Sequence, residues 1–124
     1  MAGERILVID DNAINIDLVQ FVLSEAGFEV DAASDARAAL GRIAERRPDL
    51  VLMDIQMPGI SGLELTCRLK GDPATKEIRI VAFTAYAMKG DEAKMLDAGC
   101  DGYISKPIDV ATCAETVRVL LAPG

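Results

Sequence analysis

The chain predicts an α/β fold, a parallel sheet with helices on both faces, and three observations carry that prediction. Short aliphatic runs alternate along the 124 residues with longer stretches of helical periodicity. Three of the runs, RILVI, DLVLM and IRIVAF, are almost continuously apolar, as strands covered on both sides are and half-exposed strands are not. The links between elements are short, so successive parallel strands must be joined by the helical stretches themselves.

The strands are placed at Arg5–Ile9, Glu29–Ala33, Asp49–Met53, Ile78–Phe83 and Gly102–Ile104. After the first, Ile14, Leu18, Phe21 and Val22 repeat at helical spacing, and the helix stops at Gly27, a residue suited to the left-handed C′ position. Ala36, Ala39, Leu40, Ile43 and Ala44 form a second helix closed by Arg46-Arg47-Pro48. Its basic pair complements the negative end of the helix dipole and is read as structural. A third helix runs from Ser61 to about Lys70 before Gly71 and Pro73. The fourth, from about Lys89 to Asp97, carries Asp91, Glu92, Lys94 and Asp97 and so has little apolar surface to dock. The fifth carries Val110, Cys113, Ala114, Val117 and Leu121 on one stripe, with Asp109 as N-cap. Five strands and five helices in this rhythm fit a doubly wound, flavodoxin-like sheet of order 2-1-3-4-5. The length suits one domain spanning residues 1–124, and the last helix leaves no room for an output domain.

Composition narrows the function. Thirteen basic against twenty acidic side chains, a net charge of −7, argue against direct nucleic-acid binding, which needs cations to neutralise phosphates. No apolar run reaches the roughly 20 residues that span a bilayer, and MAGERILVIDD is not a secretory leader, so a cytoplasmic protein is expected. Cys67, Cys100 and Cys113 are far apart and the chain has no histidine, which favours buried reduced thiols over a zinc site or disulfides.

In an open parallel sheet, ligands bind beyond the carboxyl ends of the strands. Asp10 and Asp11 follow the first strand, Asp54 the third, Thr84 the fourth, and Lys106 comes just after the fifth. An aspartate after a strand is ordinarily a cap or turn former; polar groups at four strand ends facing one crevice are not explained that way. Carboxylates gathered there repel unless a cation joins them. A hard dication with oxygen ligands meets that need: Mg²⁺ first, with Mn²⁺ or another divalent ion able to substitute. Adding the Lys106 ammonium and the Thr84 hydroxyl makes a cradle for a tetrahedral dianion, and hence for phosphoryl transfer. Asp54, ending the central strand, is the candidate nucleophile. Asn12 and Asn15 either cap the first helix or support the acidic pocket. Pro58-Gly59 and Gly62 fit a tight loop into a helix, and Met53, Met57, Met88 and Met95 fit packing or surface roles.

The sequence resembles response-regulator receiver domains of bacterial two-component phosphorelays. The resemblance covers essentially the whole chain, through VIDDN, LVLMDIQMPGISGLE, VAFTA and GYISKPI at family-like spacing. TAYAMKGDEAKMLDAGCDGYISKPI and DNAINIDL further resemble DivK-type stand-alone regulators, although such wording also occurs in receivers attached to hybrid kinases. The resemblance implies that Asp54 accepts phosphate from a phosphohistidine on a histidine kinase or histidine phosphotransfer protein. It implies Mg²⁺ held by Asp11, the Asp54 carboxylate and the Gln56 backbone carbonyl, with Asp10 acting through water. Lys106, before a cis Pro107, would bind a phosphoryl oxygen. Thr84 and Tyr103 would be the switch hydroxyl and switch aromatic, and Gln56 and Tyr86 would tune dephosphorylation. The output would be a downstream protein bound by the fourth helix, fifth strand and fifth helix of a monomer or weak dimer. On this reading the chain is a phosphoacceptor signalling protein that assists its own phosphorylation and dephosphorylation, and not an enzyme acting on other substrates.

Two alternatives remain. A haloacid-dehalogenase-like phosphatase also forms an aspartyl phosphate with Mg²⁺, but it expects an acid two residues after the nucleophile, where this chain has Gln56. A degenerate receiver would bind partners without phosphorylation, against which stand the complete set Asp10, Asp11, Asp54, Thr84 and Lys106.

Overall fold

In the computed structural model the described residues are 4–54, 62–84, 97, 99–105 and 113–121. Five strands, β1 (Arg5–Ile9), β2 (Glu29–Ala33), β3 (Leu50–Asp54), β4 (Arg79–Thr84) and β5 (Gly102–Ser105), form one sheet of order β2-β1-β3-β4-β5. Every neighbouring pair is parallel. The described helices are α1 (Ala13–Glu25), α2 (Ala36–Glu45), α3 (Gly62–Gly71) and α4 (Cys113–Leu121). The predicted helix over about Lys89–Asp97 falls almost wholly outside the described residues, as does the Asp109 cap; α4 is therefore the fifth helix of the sequence reading. The fold is flavodoxin-like.

Strand alternation sorts the core into two layers. Leu7, Ile9, Val51, Met53, Ile80 and Ala82 pack with Ala36, Ala39 and Ile43 of α2 and Leu65 and Leu69 of α3. Ile6, Val8, Leu50, Leu52 and Val81 pack on the other face with Val19, Val22 and Leu23 of α1 and Cys113 and Val117 of α4. Two buried faces are why β1, β3 and β4 read as unbroken apolar runs. β2, at the sheet edge, keeps two exposed positions.

Two details correct the sequence reading. Asp54 and Thr84 are the last residues of their strands, because the ladder continues through Asp54 opposite Phe83 and Thr84 opposite Ser105. In α1 the apolar stripe read from sequence is largely on the solvent side: Ile14 is 77% exposed, Phe21 64% and Leu18 37%, while Val19, Val22 and Leu23 face the sheet. The helix is apolar around most of its circumference, so periodicity alone did not select the core face.

The helix ends are closed as their residues suggest. Asn12 accepts the Ile14 and Asn15 N–H groups at 2.9 and 3.4 Å, and Asp35 accepts that of Ala38 at 2.7 Å. Gly27 follows α1 at φ +98°, a conformation that a Cβ disfavours. Arg118 of α4 donates to the Ala26 carbonyl at 3.2 Å and lies 5.7 Å from the Phe28 ring centroid, tying α4 to the end of α1. Among the described residues no helix is long and apolar enough to cross a membrane.

Candidate functional site

The register of the sheet brings the acidic residues together. Ile9 pairs with Met53, so the next residues, Asp10 and Asp54, emerge side by side at the carboxyl edge of the two central strands. Asp10 is fully buried, Asp54 is buried at 3% exposure, and Asp11 is exposed. One carboxylate oxygen from each of the three lies within 4.8 Å of the others. One side of this cluster therefore opens to solvent while the other is held in the sheet.

Local structure fixes Asp10. The chain continues the β1–β2 ladder through Asp10 N–H to the Ala33 carbonyl at 3.1 Å, then turns into α1. The Asn12 N–H donates to Asp10 Oδ1 at 2.9 Å, and Asn15 Nδ2 donates to Asp10 Oδ2 at 3.3 Å. The two asparagines left open by the sequence thus divide the work: the Asn12 side chain caps α1, and the Asn15 side chain reaches the acidic cluster.

An all-oxygen, anionic donor set at a sheet edge suits a hard divalent cation. Like charges this close repel, so a cation shared among them removes a cost as well as adding bonds. The residues present therefore fit Mg²⁺.

A protein-family model for the response regulator receiver domain matches residues 6–118. The chain belongs to the response regulator receiver family. Its relatives include the polar-differentiation response regulator DivK of Brucella anthropi, 42% identical over 118 residues, covering 95% of this chain and 96% of that protein. DivK of Brucella ovis is 41% identical over the same share of both chains. Among solved structures, the chemotaxis protein CheY4 of Vibrio cholerae superposes with a TM-score of 0.90 at 26% identity, covering 96% of this chain and 99% of that one. A CheY-like receiver domain protein of Methanospirillum hungatei gives 0.87 at 29% identity, covering 97% and 94%.

Within this receiver fold the remaining predicted residues are placed as follows. Thr84 ends β4, one step beyond the Phe83 that pairs with Asp54, and opposite Ser105. Tyr103 lies in β5 opposite Ala82. Lys106, next in the chain after the end of β5, lies outside the described residues, as do Gln56 and Tyr86. The structure thus unites Asp10, Asp11 and Asp54 and sets the Thr84 backbone at the same sheet edge. The sequence reading left Asn12 and Asn15 open between capping the first helix and supporting the acidic pocket; the structure gives the cap to Asn12 and the direct link to Asp10 to Asn15.

Proposed function

We propose that this receiver is a phosphoacceptor whose Asp54 takes a phosphoryl group from a phosphohistidine on a histidine kinase or phosphotransfer protein. The observation that carries this reading is the approach of the Asp10, Asp11 and Asp54 carboxylates at the end of the two central strands. An Asp54 oxygen attacks phosphorus in line, the phosphorus–nitrogen bond breaks, and its electron pair returns to the donor imidazole. Asp11, Asp54 and the Gln56 carbonyl would hold Mg²⁺, with Asp10 acting through water; when bound, the ion supplies charge neutralisation at the phosphoryl oxygens. Lys106 neutralises another of those oxygens.

The new phosphoryl oxygen attracts the Thr84 hydroxyl, and Tyr103 follows into the space vacated. This local electrostatic event biases a two-state element. The readout surface comprises the segment before β5, β5 itself and α4, where Val119 is 67% exposed. A protein partner that binds the two states unequally then carries the signal onward. Gln56 and Tyr86 control water access to the acyl phosphate and so its lifetime. The receiver acts in the cytoplasm, as a monomer or weak dimer.

Phosphoramidate, a small donor with the same phosphorus–nitrogen bond, tests the reading. With Mg²⁺ it is expected to label the chain through a hydroxylamine-sensitive bond, and the label should disappear with EDTA. Labelling that ignores Mg²⁺ would contradict the proposal.

A further inference from the structure

We propose that Asn15 is a positioning residue for the metal site, acting through Asp10. The inference rests on the reading that the acidic cluster holds Mg²⁺. Asp10 is the most deeply buried of the three carboxylates, and each of its oxygens accepts a hydrogen bond from an uncharged N–H donor, Asn12 N at 2.9 Å and Asn15 Nδ2 at 3.3 Å. The first donor is backbone and the second is a half-buried side chain in the first turn of α1.

Two donors on two oxygens fix the plane of a carboxylate that one donor would leave free to turn about its Cβ–Cγ bond. An amide orients the carboxylate without bringing a positive charge of its own, whereas a lysine or arginine in the same place would compete with a cation shared with Asp11 and Asp54. The carboxylates and imidazoles that hold metals are commonly oriented by such outer hydrogen bonds, whose loss weakens metal binding. The anchoring is firm because the same turn is capped by Asn12, whose side chain accepts the Asn15 N–H at 3.4 Å. The start of α1 and the orientation of Asp10 are thereby one unit.

Calorimetric titration with MgCl₂ of the full chain tests this, using wild type, Asn15→Leu, Asn15→Ala, and each change combined with Asp10→Asn. Asn15→Leu keeps the size and favours the helix, and Asn15→Ala supplies a second variant should leucine disturb the fold. Wild type is expected to bind Mg²⁺, and loss of the Asn15 amide to weaken binding about tenfold or more. In the Asp10→Asn background the same change should alter affinity by less than about twofold, because the group it acts through has gone. Asn15→Gln, which retains an amide, should recover part of the loss. Unchanged Mg²⁺ affinity in both Asn15→Leu and Asn15→Ala would overturn the inference while leaving the metal site standing. An equal loss with and without Asp10 would overturn it too, since Asn15 would then act by another route. A wild-type chain that binds no Mg²⁺ would instead overturn the metal reading itself.

Discussion

Asp10 and Asp54 stand at matching steps on adjacent strands, each one residue beyond the paired Ile9 and Met53, and both are buried. With Asp11 they put three carboxylate oxygens within 4.8 Å of one another. The sheet register, and not a flexible loop, is what forces the two buried charges together. Like charges held this close repel, and a shared cation relieves that repulsion.

That repulsion has a measurable sign. Asp54→Asn, nearly isosteric, is expected to raise unfolding stability in EDTA by about 1 kcal/mol, the order of a screened like-charge pair at this separation. Mg²⁺ at about a hundred times its dissociation constant should stabilise wild type by about 2.7 kcal/mol and Asp54→Asn by much less. Urea melts with and without the ion check both. Equal Mg²⁺ increments in the two proteins would remove Asp54 from the metal site.

A second set of expectations concerns Lys70, which joins three segments of chain. Its Nζ donates to the Ile78 carbonyl and to Asp101 Oδ2, each at 2.9 Å, and to the Lys76 carbonyl at 3.3 Å. Asp101 Oδ2 also accepts the Ile80 N–H at 2.8 Å. The Lys70 stem packs over Gly99, whose φ is +109° and where a Cβ would come within 2.8 Å of Lys70 Cγ. Lys70→Met should cost about 1–3 kcal/mol, since it strands a partly buried carboxylate and two carbonyls. Gly99→Ala should cost about 1–2 kcal/mol through left-handed backbone strain. Because the two residues share a contact, the double variant should lose less than the sum; strict additivity in urea melts would show that they do not act together.

The thiols differ in environment. Cys67 is exposed, whereas Cys100 and Cys113 are buried. Burial raises the Cys100 thiol above its ordinary value, with Asp101 adding to the shift and the Thr66 hydrogen bond opposing it. A disulfide reagent at mildly alkaline pH is expected to modify Cys67 quickly and the other two only on unfolding. With the folded value above the unfolded one, the Cys100 contribution to stability is complete below the ordinary thiol range and is lost as pH rises from there through the raised folded value. Cys100→Ala should lose that alkaline component of the pH dependence. Three thiols reacting at one rate would contradict the packing described.

Much of this was legible in the residues themselves. RILVI and EVDAA carried β1 and β2 to their observed ends, and the alternation of strand and helix fixed the layering and the order of the sheet. Asp10, Asp11 and Asp54 could be placed together because parallel strands end at one edge. Four features were not legible. α1 is apolar on several sides, and only docking on the sheet adds Val19 and Leu23 to the expected Val22 and turns Ile14, Leu18 and Phe21 outward. The predicted strands stop one residue short of Asp54 and Thr84, and only backbone pairing with the neighbouring strand shows that both stay in the sheet. Cys67 was expected to be buried like its companions, but it lies on the outer side of α3. The Lys70 link to Asp101 spans 31 positions, so no local pattern announces it.

The most direct test of the central claim is to find which side chain carries the phosphoryl group. The full chain is treated with phosphoramidate and Mg²⁺, the acyl phosphate is reduced with borohydride to homoserine, and the peptides are sequenced by mass spectrometry. Conversion is expected at Asp54 alone and is expected to vanish in Asp54→Asn. Conversion at another aspartate in the wild-type chain, or labelling undiminished in Asp54→Asn, would contradict the account.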